Sequence, residues 1–228
     1  FEPWLGGILD ELAASGVAVV EMSRALSPDT SLPGGVGARE WEEQEEDTDE
    51  AHETVDPHFW LSPNLAAAMA TAIESALTEA DEPRGRIYAA NAAVLRERLR
   101  ALDAAYRIGL ENCRHRTFVS SHAAFRYLAH EYGLTQIAIS GLSPEAEPSP
   151  RTLAGVADTV KREGIRYIFF ETLIGPELSE TIARETGADI LPLNPIEGLD
   201  DDEISAGMNY FTVMEENLAN LKIALECQ

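Results

Sequence analysis

Three residues of this chain have side chains that could share one metal ion. His58 stands in the sequence DPHFW, and His122 stands in SSHAAF, so each histidine has small or aromatic neighbours. Glu197 stands in LNPIEG near the C-terminal end and offers a carboxylate. Neutral imidazole nitrogen and carboxylate oxygen are ligands that suit zinc or manganese. If folding brings the three side chains together, they form a metal site.

The composition excludes several classes of partner. With 228 residues, of which 45% are hydrophobic, the chain can form one large domain or two lobes of roughly 100 residues each. The net charge of −23 argues against nucleic acid and against anionic lipid surfaces, because both need clustered Lys and Arg. The sequence contains no apolar run of about 18 residues or more, so we predict no membrane-spanning segment.

One long helix divides the chain into two parts. Residues 84–112 contain many Ala, Leu, Arg and Glu and no Pro, and apolar residues recur every three or four positions. Such a helix is roughly 40 Å long at about 1.5 Å per residue and could connect two lobes as a rigid strut. We therefore predict an N-terminal lobe at 1–83, the linking helix at 84–112 and a C-terminal lobe at 113–228.

The C-terminal lobe alternates strands with helices, which indicates a parallel sheet covered by helices. The predicted strands are Thr117–Ser120, Thr135–Ser140, Arg166–Phe170 and Ala188–Leu191. His122, Glu171 and Glu197 each follow one of these strands. In parallel sheets ligands bind beyond the carboxyl ends of the strands, so we expect these three side chains at one edge of the sheet.

The N-terminal lobe has weaker signals. We predict helix within Phe1–Leu26, interrupted by a short strand at Val17–Val20. We predict a further helix that begins at Ser62-Pro63, because Ser caps helices and Pro suits their first turn. Eight of the twelve residues 42–53 are acidic, which is typical of a solvated, extended loop. The alternative is that this segment collects cations beside a metal site, with His52 as an accessory contact.

Several motifs together resemble the substrate-binding proteins of bacterial zinc and manganese ABC transporters, the ZnuA/TroA-like family. They are FEPW at residues 1–4, DPHFWLSP at 56–63, SHAAFRYL at 121–128, EAEPSP at 145–150 and the segment from Tyr210 to Cys227. The resemblance covers essentially the whole chain and is greatest to the laminin-binding zinc lipoproteins. It implies two α/β lobes, with parallel sheets flanked by helices, joined by one rigid helix with the metal in the cleft between them.

The resemblance also implies a set of ligands. The family usually binds metal through three histidines and one carboxylate, and His58 and His122 match two of these histidines. For the carboxylate we expect Glu197, while many members have Asp where this chain has Asn194. The remaining histidine of the family precedes the FEPW motif, so we expect that an N-terminal portion precedes Phe1. Without it, three ligands would leave one coordination position for water or a foreign ligand.

The function that this resemblance implies is capture of Zn²⁺, or alternatively Mn²⁺, outside the cytoplasmic membrane and delivery to an ABC permease. The protein would be periplasmic or lipid-anchored and would not be an enzyme. Some family members have a disulfide at positions matching Cys113 and Cys227. Two alternatives are a zinc hydrolase with Glu171 as the base, although HExxH is absent from the sequence, and an adhesin stabilised by its metal.

Overall fold

The computed structural model describes residues 7–26, 56–143, 147–171 and 175–228. The helices of these segments are α1 (Leu9–Ala14), α2 (Met22–Leu26), α3 (Pro63–Ala80), α4 (Gly85–Glu111), α5 (Arg126–Glu131), α6 (Pro150–Glu163), α7 (Glu177–Thr186), α8 (Asp201–Ser205) and α9 (Tyr210–Ala224). The strands are β1 (Thr117–Ser120), β2 (Thr135–Ala138), β3 (Tyr167–Phe170) and β4 (Asp189–Pro192). No helix in the described part of the chain is long and apolar enough to cross a membrane.

The four strands form one parallel sheet in the order β2-β1-β3-β4. Successive strand residues face opposite sides, so β1 and β3 each contribute to two cores. Phe118 and Phe169 pack on one side with residues of α4, α5 and α9, whereas Val119 and Ile168 pack on the other side with α6 and α7. The predicted α/β class with a helix-covered parallel sheet is confirmed.

The long helix predicted at 84–112 is observed as α4, which at about 1.5 Å per residue extends roughly 40 Å. Its C-terminal half is the better buried, with Leu99, Leu102, Tyr106 and Leu110 almost fully inaccessible to solvent. The Tyr106 hydroxyl also donates a hydrogen bond of 2.7 Å to the main-chain oxygen of Met214 on α9. This end of α4 is therefore fixed to the sheet and to the last helix.

The predicted helix start at Ser62-Pro63 is observed, and a second Ser-Pro start occurs at Ser149-Pro150. The Ser62 hydroxyl accepts the Leu65 N–H at 3.2 Å, and Pro63 occupies the first turn of α3. The Ser149 hydroxyl accepts the Thr152 N–H at 3.1 Å at the start of α6. Each cap satisfies an N–H that has no partner within its own helix.

A disulfide between Cys113 and Cys227 joins the chain after α4 to the chain after α9 across a sequence separation of 114. The pairing implied by the family resemblance is thus present. The same two segments are hydrogen bonded through their main chains, from His115 N–H to Leu225 O at 3.1 Å. The disulfide therefore links the C-terminal ends of α4 and α9 near the amino end of β1.

One local prediction was wrong, and one short helix was missed. The stretch Val17–Val20 forms no strand, and Val17 and Val19 remain about half exposed, since no described strand lies beside them to accept their hydrogen bonds. Helix α8 was not predicted because it has only five residues. Its start is defined instead by a capping box, in which Asp200 and Glu203 each accept the other's backbone N–H.

Candidate metal centre

His58 is fully buried at the start of a short 3-10 turn, and a carboxylate two residues earlier fixes its ring. One oxygen of Asp56, Oδ1, accepts the His58 backbone N–H at 3.0 Å and contacts Nδ1 of the same ring at 2.7 Å. This contact favours the proton on Nδ1. The lone pair of Nε2 is then available on the opposite side of the ring, as in metal-binding histidines that donate to a carboxylate.

His122 has the same arrangement, built from a residue distant in sequence. It follows β1 and is fully buried, and Glu171 follows the neighbouring strand β3. Glu171 Oε1 accepts the His122 backbone N–H at 3.1 Å and contacts Nδ1 at 2.6 Å. Each histidine is therefore oriented by its own carboxylate. In each case a single oxygen contacts both the main-chain N–H and the ring nitrogen Nδ1.

Glu197 completes a nearly regular triangle. Its Oε1 lies 3.3 Å from His58 Nε2 and 3.3 Å from His122 Nε2, and the two Nε2 atoms are also 3.3 Å apart. A tetrahedral zinc ion at about 2.0–2.1 Å from its ligands requires them to be about 3.3–3.4 Å apart, because the edge of a tetrahedron is about 1.63 times its centre-to-vertex distance. The three atoms therefore match one face of a zinc tetrahedron.

Without metal, the same atoms form a buried ionic cluster. Burial alone lowers the pKa of His122, but the hydrogen bonds with Glu171 and Glu197 outweigh it and raise the pKa to about 9. The pKa of His58 is also raised, since hydrogen bonds with Asp56 and Glu197 outweigh burial. The hydrogen bonds with His122 and His58 lower the pKa of Glu197 to about 2. A cation bound by the two Nε2 atoms would therefore compete with protonation of the imidazoles.

Further hydrogen bonds join the segment carrying His58 to the C-terminal part of the chain. The hydroxyl of Tyr127 donates to Asp56 O at 3.0 Å, and the hydroxyl of Tyr210 donates to Trp60 O at 2.6 Å. The indole N–H of Trp60 donates to Pro195 O at 2.7 Å. The centre therefore lies where chain preceding α4 meets chain following it.

The three residues singled out from the sequence, His58, His122 and Glu197, come together as one group. The Oδ1 of Asn194 accepts the Ile196 N–H at 2.8 Å. The acidic segment 42–53, including His52, lies outside the described residues. Sequence reasoning missed the role of Asp56, although a carboxylate two residues before a histidine is well placed to accept its backbone N–H.

Comparison with known proteins gives a consistent result. The family described as ZnuA, zinc-uptake complex component A, periplasmic, matches residues 1–224. The zinc-binding lipoprotein AdcA of Streptococcus pneumoniae is 41% identical over 225 residues, which cover 97% of this chain and 43% of that protein. The chain therefore spans less than half the length of this curated relative.

Two solved structures are similar over nearly the whole chain. The Zn(II)-bound ZnuA-like domain of Streptococcus pneumoniae AdcA is 36% identical with a TM-score of 0.75, over 99% of this chain and 76% of that chain. The laminin-binding protein Lbp of Streptococcus pyogenes is 32% identical with a TM-score of 0.77, over 100% of this chain and 78% of that chain. Sequence and fold thus point to the same group of proteins.

Proposed function

Because the chain belongs to the ZnuA family of zinc-uptake components, we propose that it captures Zn²⁺ outside the cytoplasmic membrane and delivers the ion to an ABC permease. In this proposal the ligands are His58, His122 and Glu197, and the fourth position of the tetrahedron is open to water or to a further ligand. The observation that carries the proposal is the triangle of Nε2, Nε2 and Oε1 atoms with sides of 3.3 Å.

The ligand chemistry favours zinc over manganese. Two of the three atoms are imidazole nitrogens, which suit zinc, whereas manganese prefers sites rich in carboxylate, carbonyl and water oxygen. Asp56 and Glu171 fix the two rings before the ion arrives, so that binding needs no large rearrangement of the ligands.

The arrangement also suits uptake and release of an ion. His58 comes from the chain before α4, whereas His122 and Glu197 come from the chain after it. We propose that 1–83 and 113–228 are the two lobes, with 84–112 as the connecting helix. A relative movement of the two would separate one ligand from the other two and weaken metal binding.

A zinc hydrolase with Glu171 as base is a weaker candidate. A general base must reach the proton of a metal-bound water. Glu171 instead binds the backbone and ring of His122 through Oε1, and only 1% of the residue is exposed. Adhesion is an alternative suggested by the similarity to the laminin-binding protein, and immobilised laminin tested with and without zinc would measure it.

The test is a competition titration of metal-stripped protein with Zn²⁺ and Mn²⁺, together with assays for ester and peptide hydrolysis. We expect one zinc ion per chain, weaker binding of manganese and no zinc-dependent turnover. Stronger binding of manganese, or turnover that disappears when Glu171 is changed to Gln, would contradict the proposal.

A further inference from the structure

The residue before Glu197 has an unusual backbone conformation. Ile196 has a φ of 57°, in the left-handed region, where its branched Cβ crowds the main chain. Glycine or asparagine would adopt this conformation at much lower cost. Such a residue persists only where surrounding contacts hold it, and it is often found at functional sites. The strain lies one residue from the carboxylate of the metal centre.

A buried asparagine on the last helix holds this loop. Asn217 of α9 is 2% exposed, and its side-chain amide pairs with both main-chain groups of Asn194. Its Oδ1 accepts the Asn194 N–H at 2.8 Å, and its Nδ2 donates to Asn194 O at 2.7 Å. Asn194 in turn accepts the Ile196 N–H through its own side chain. The hydrogen bonds thus lead from α9 to the strained residue.

The other side of the loop is held by the segment that carries His58. The indole N–H of Trp60 donates to Pro195 O, between Asn194 and Ile196. The loop is therefore fixed at three consecutive peptide units, two of them by α9 and the third by the chain before α4. Glu197 follows this fixed stretch directly, and its Oε1 lies at 3.3 Å from both imidazoles.

We propose, on the basis of the zinc-capture function proposed above, that Asn217 is a positioning residue for metal binding. It keeps the loop 194–197 in the strained conformation that carries the Glu197 carboxylate to His58 and His122. Without this clamp, Ile196 relaxes out of the left-handed region and the carboxylate is displaced from the two Nε2 atoms. The metal centre thus depends on a helix that contributes none of the three proposed ligands.

The experiment compares zinc affinity in Asn217→Leu with that in Asn220→Leu. Asn220 is a matched control, because it lies on the same helix and donates to Pro192 O at 2.9 Å, upstream of the loop. We expect Asn217→Leu to bind zinc at least about tenfold more weakly than the parent protein. A loss of this size follows if the loop has the binding-competent conformation in only about a tenth of the molecules. Asn220→Leu should remain within about twofold of the parent protein. Equal effects of the two variants would overturn the proposal.

A second readout separates positioning from general stability. In a Glu197→Ala background, Asn217→Leu should change the remaining zinc affinity by less than about twofold, because the carboxylate it positions is gone. Adding Ile196→Gly to Asn217→Leu should restore part of the affinity, since glycine adopts positive φ without the Cβ penalty. A full Asn217→Leu effect in the Glu197→Ala background would also overturn the proposal.

Two controls keep the result interpretable. If Asn217→Leu does not fold, Asn217→Ala removes the same pair of hydrogen bonds with a different side chain and should show the same dependence on Glu197. An equal loss of affinity by Asn217→Ala with and without Glu197 would then overturn the proposal. If the parent protein binds no zinc at all, the zinc-capture function itself fails, which is distinct from failure of the positioning role.

Discussion

Removal of the Glu171 carboxylate should weaken zinc binding although this residue does not contact the ion in our account. In Glu171→Ala, the backbone N–H and the Nδ1 of His122 lose their common acceptor, which now lies at 3.1 and 2.6 Å. Both groups are buried, so water cannot readily replace the carboxylate. Loss of such an orienting partner typically costs a factor of about 10–100 in metal affinity, or about 1.4–2.7 kcal/mol.

Competition with a chromophoric chelator measures this effect, because zinc binding is expected to be too tight for direct titration. Glu171→Gln keeps an oxygen that can accept both hydrogen bonds but lacks the negative charge, so its loss should be smaller than that of Glu171→Ala. Ser179→Ala is the matched control, since Ser179 donates to Phe169 O at 3.0 Å on the same strand. The reasoning is refuted if Glu171→Ala binds zinc within about twofold of the parent, or if Ser179→Ala loses as much.

Two further predictions concern protons and the disulfide. Zinc affinity should increase as the pH rises toward about 9, because His122, whose pKa is raised to about 9, must lose a proton before Nε2 can bind zinc. Calorimetry in two buffers of different ionisation enthalpy should detect the released proton. A zinc affinity that does not change between about pH 6 and 9 would contradict this prediction. Replacing Cys113 and Cys227 by Ser removes the disulfide that joins two positions 114 residues apart in sequence. The free energy of unfolding should then fall by about 3–5 kcal/mol in denaturant titrations. Zinc affinity should stay within about twofold of the parent protein, because the disulfide lies near the amino end of β1 whereas His122 follows its carboxyl end. A large loss of zinc affinity would show that the disulfide and the metal centre are not independent.

Local sequence signals predicted the C-terminal part of the fold well. The strands around Phe118 and Phe169 are short apolar runs followed by helices, and such alternation leaves few arrangements other than a parallel sheet. Because parallel strands end at one edge, the convergence of His122, Glu171 and Glu197 also followed from the sequence. The contact with His58 followed only from the family resemblance.

The features that were missed depend on contacts that local patterns do not contain. Val17–Val20 has the composition of a strand but no described neighbour, and β propensity reflects packing against neighbours more than backbone preference. The pairing of Asn217 with Asn194 spans 23 residues and joins a helix to a loop, so neither residue reveals it alone. The left-handed Ile196 contradicts its own residue preference, which is expected where function imposes strain.

The central claim is that one zinc ion binds between His58, His122 and Glu197. The most direct measurement is an anomalous difference map collected at the zinc absorption edge from crystals of the zinc-loaded protein. We predict a single strong peak about 2.0–2.2 Å from the two Nε2 atoms and from one Glu197 oxygen. A zinc peak elsewhere, or a peak bound by the histidines with the Glu197 carboxylate turned away, would contradict the account.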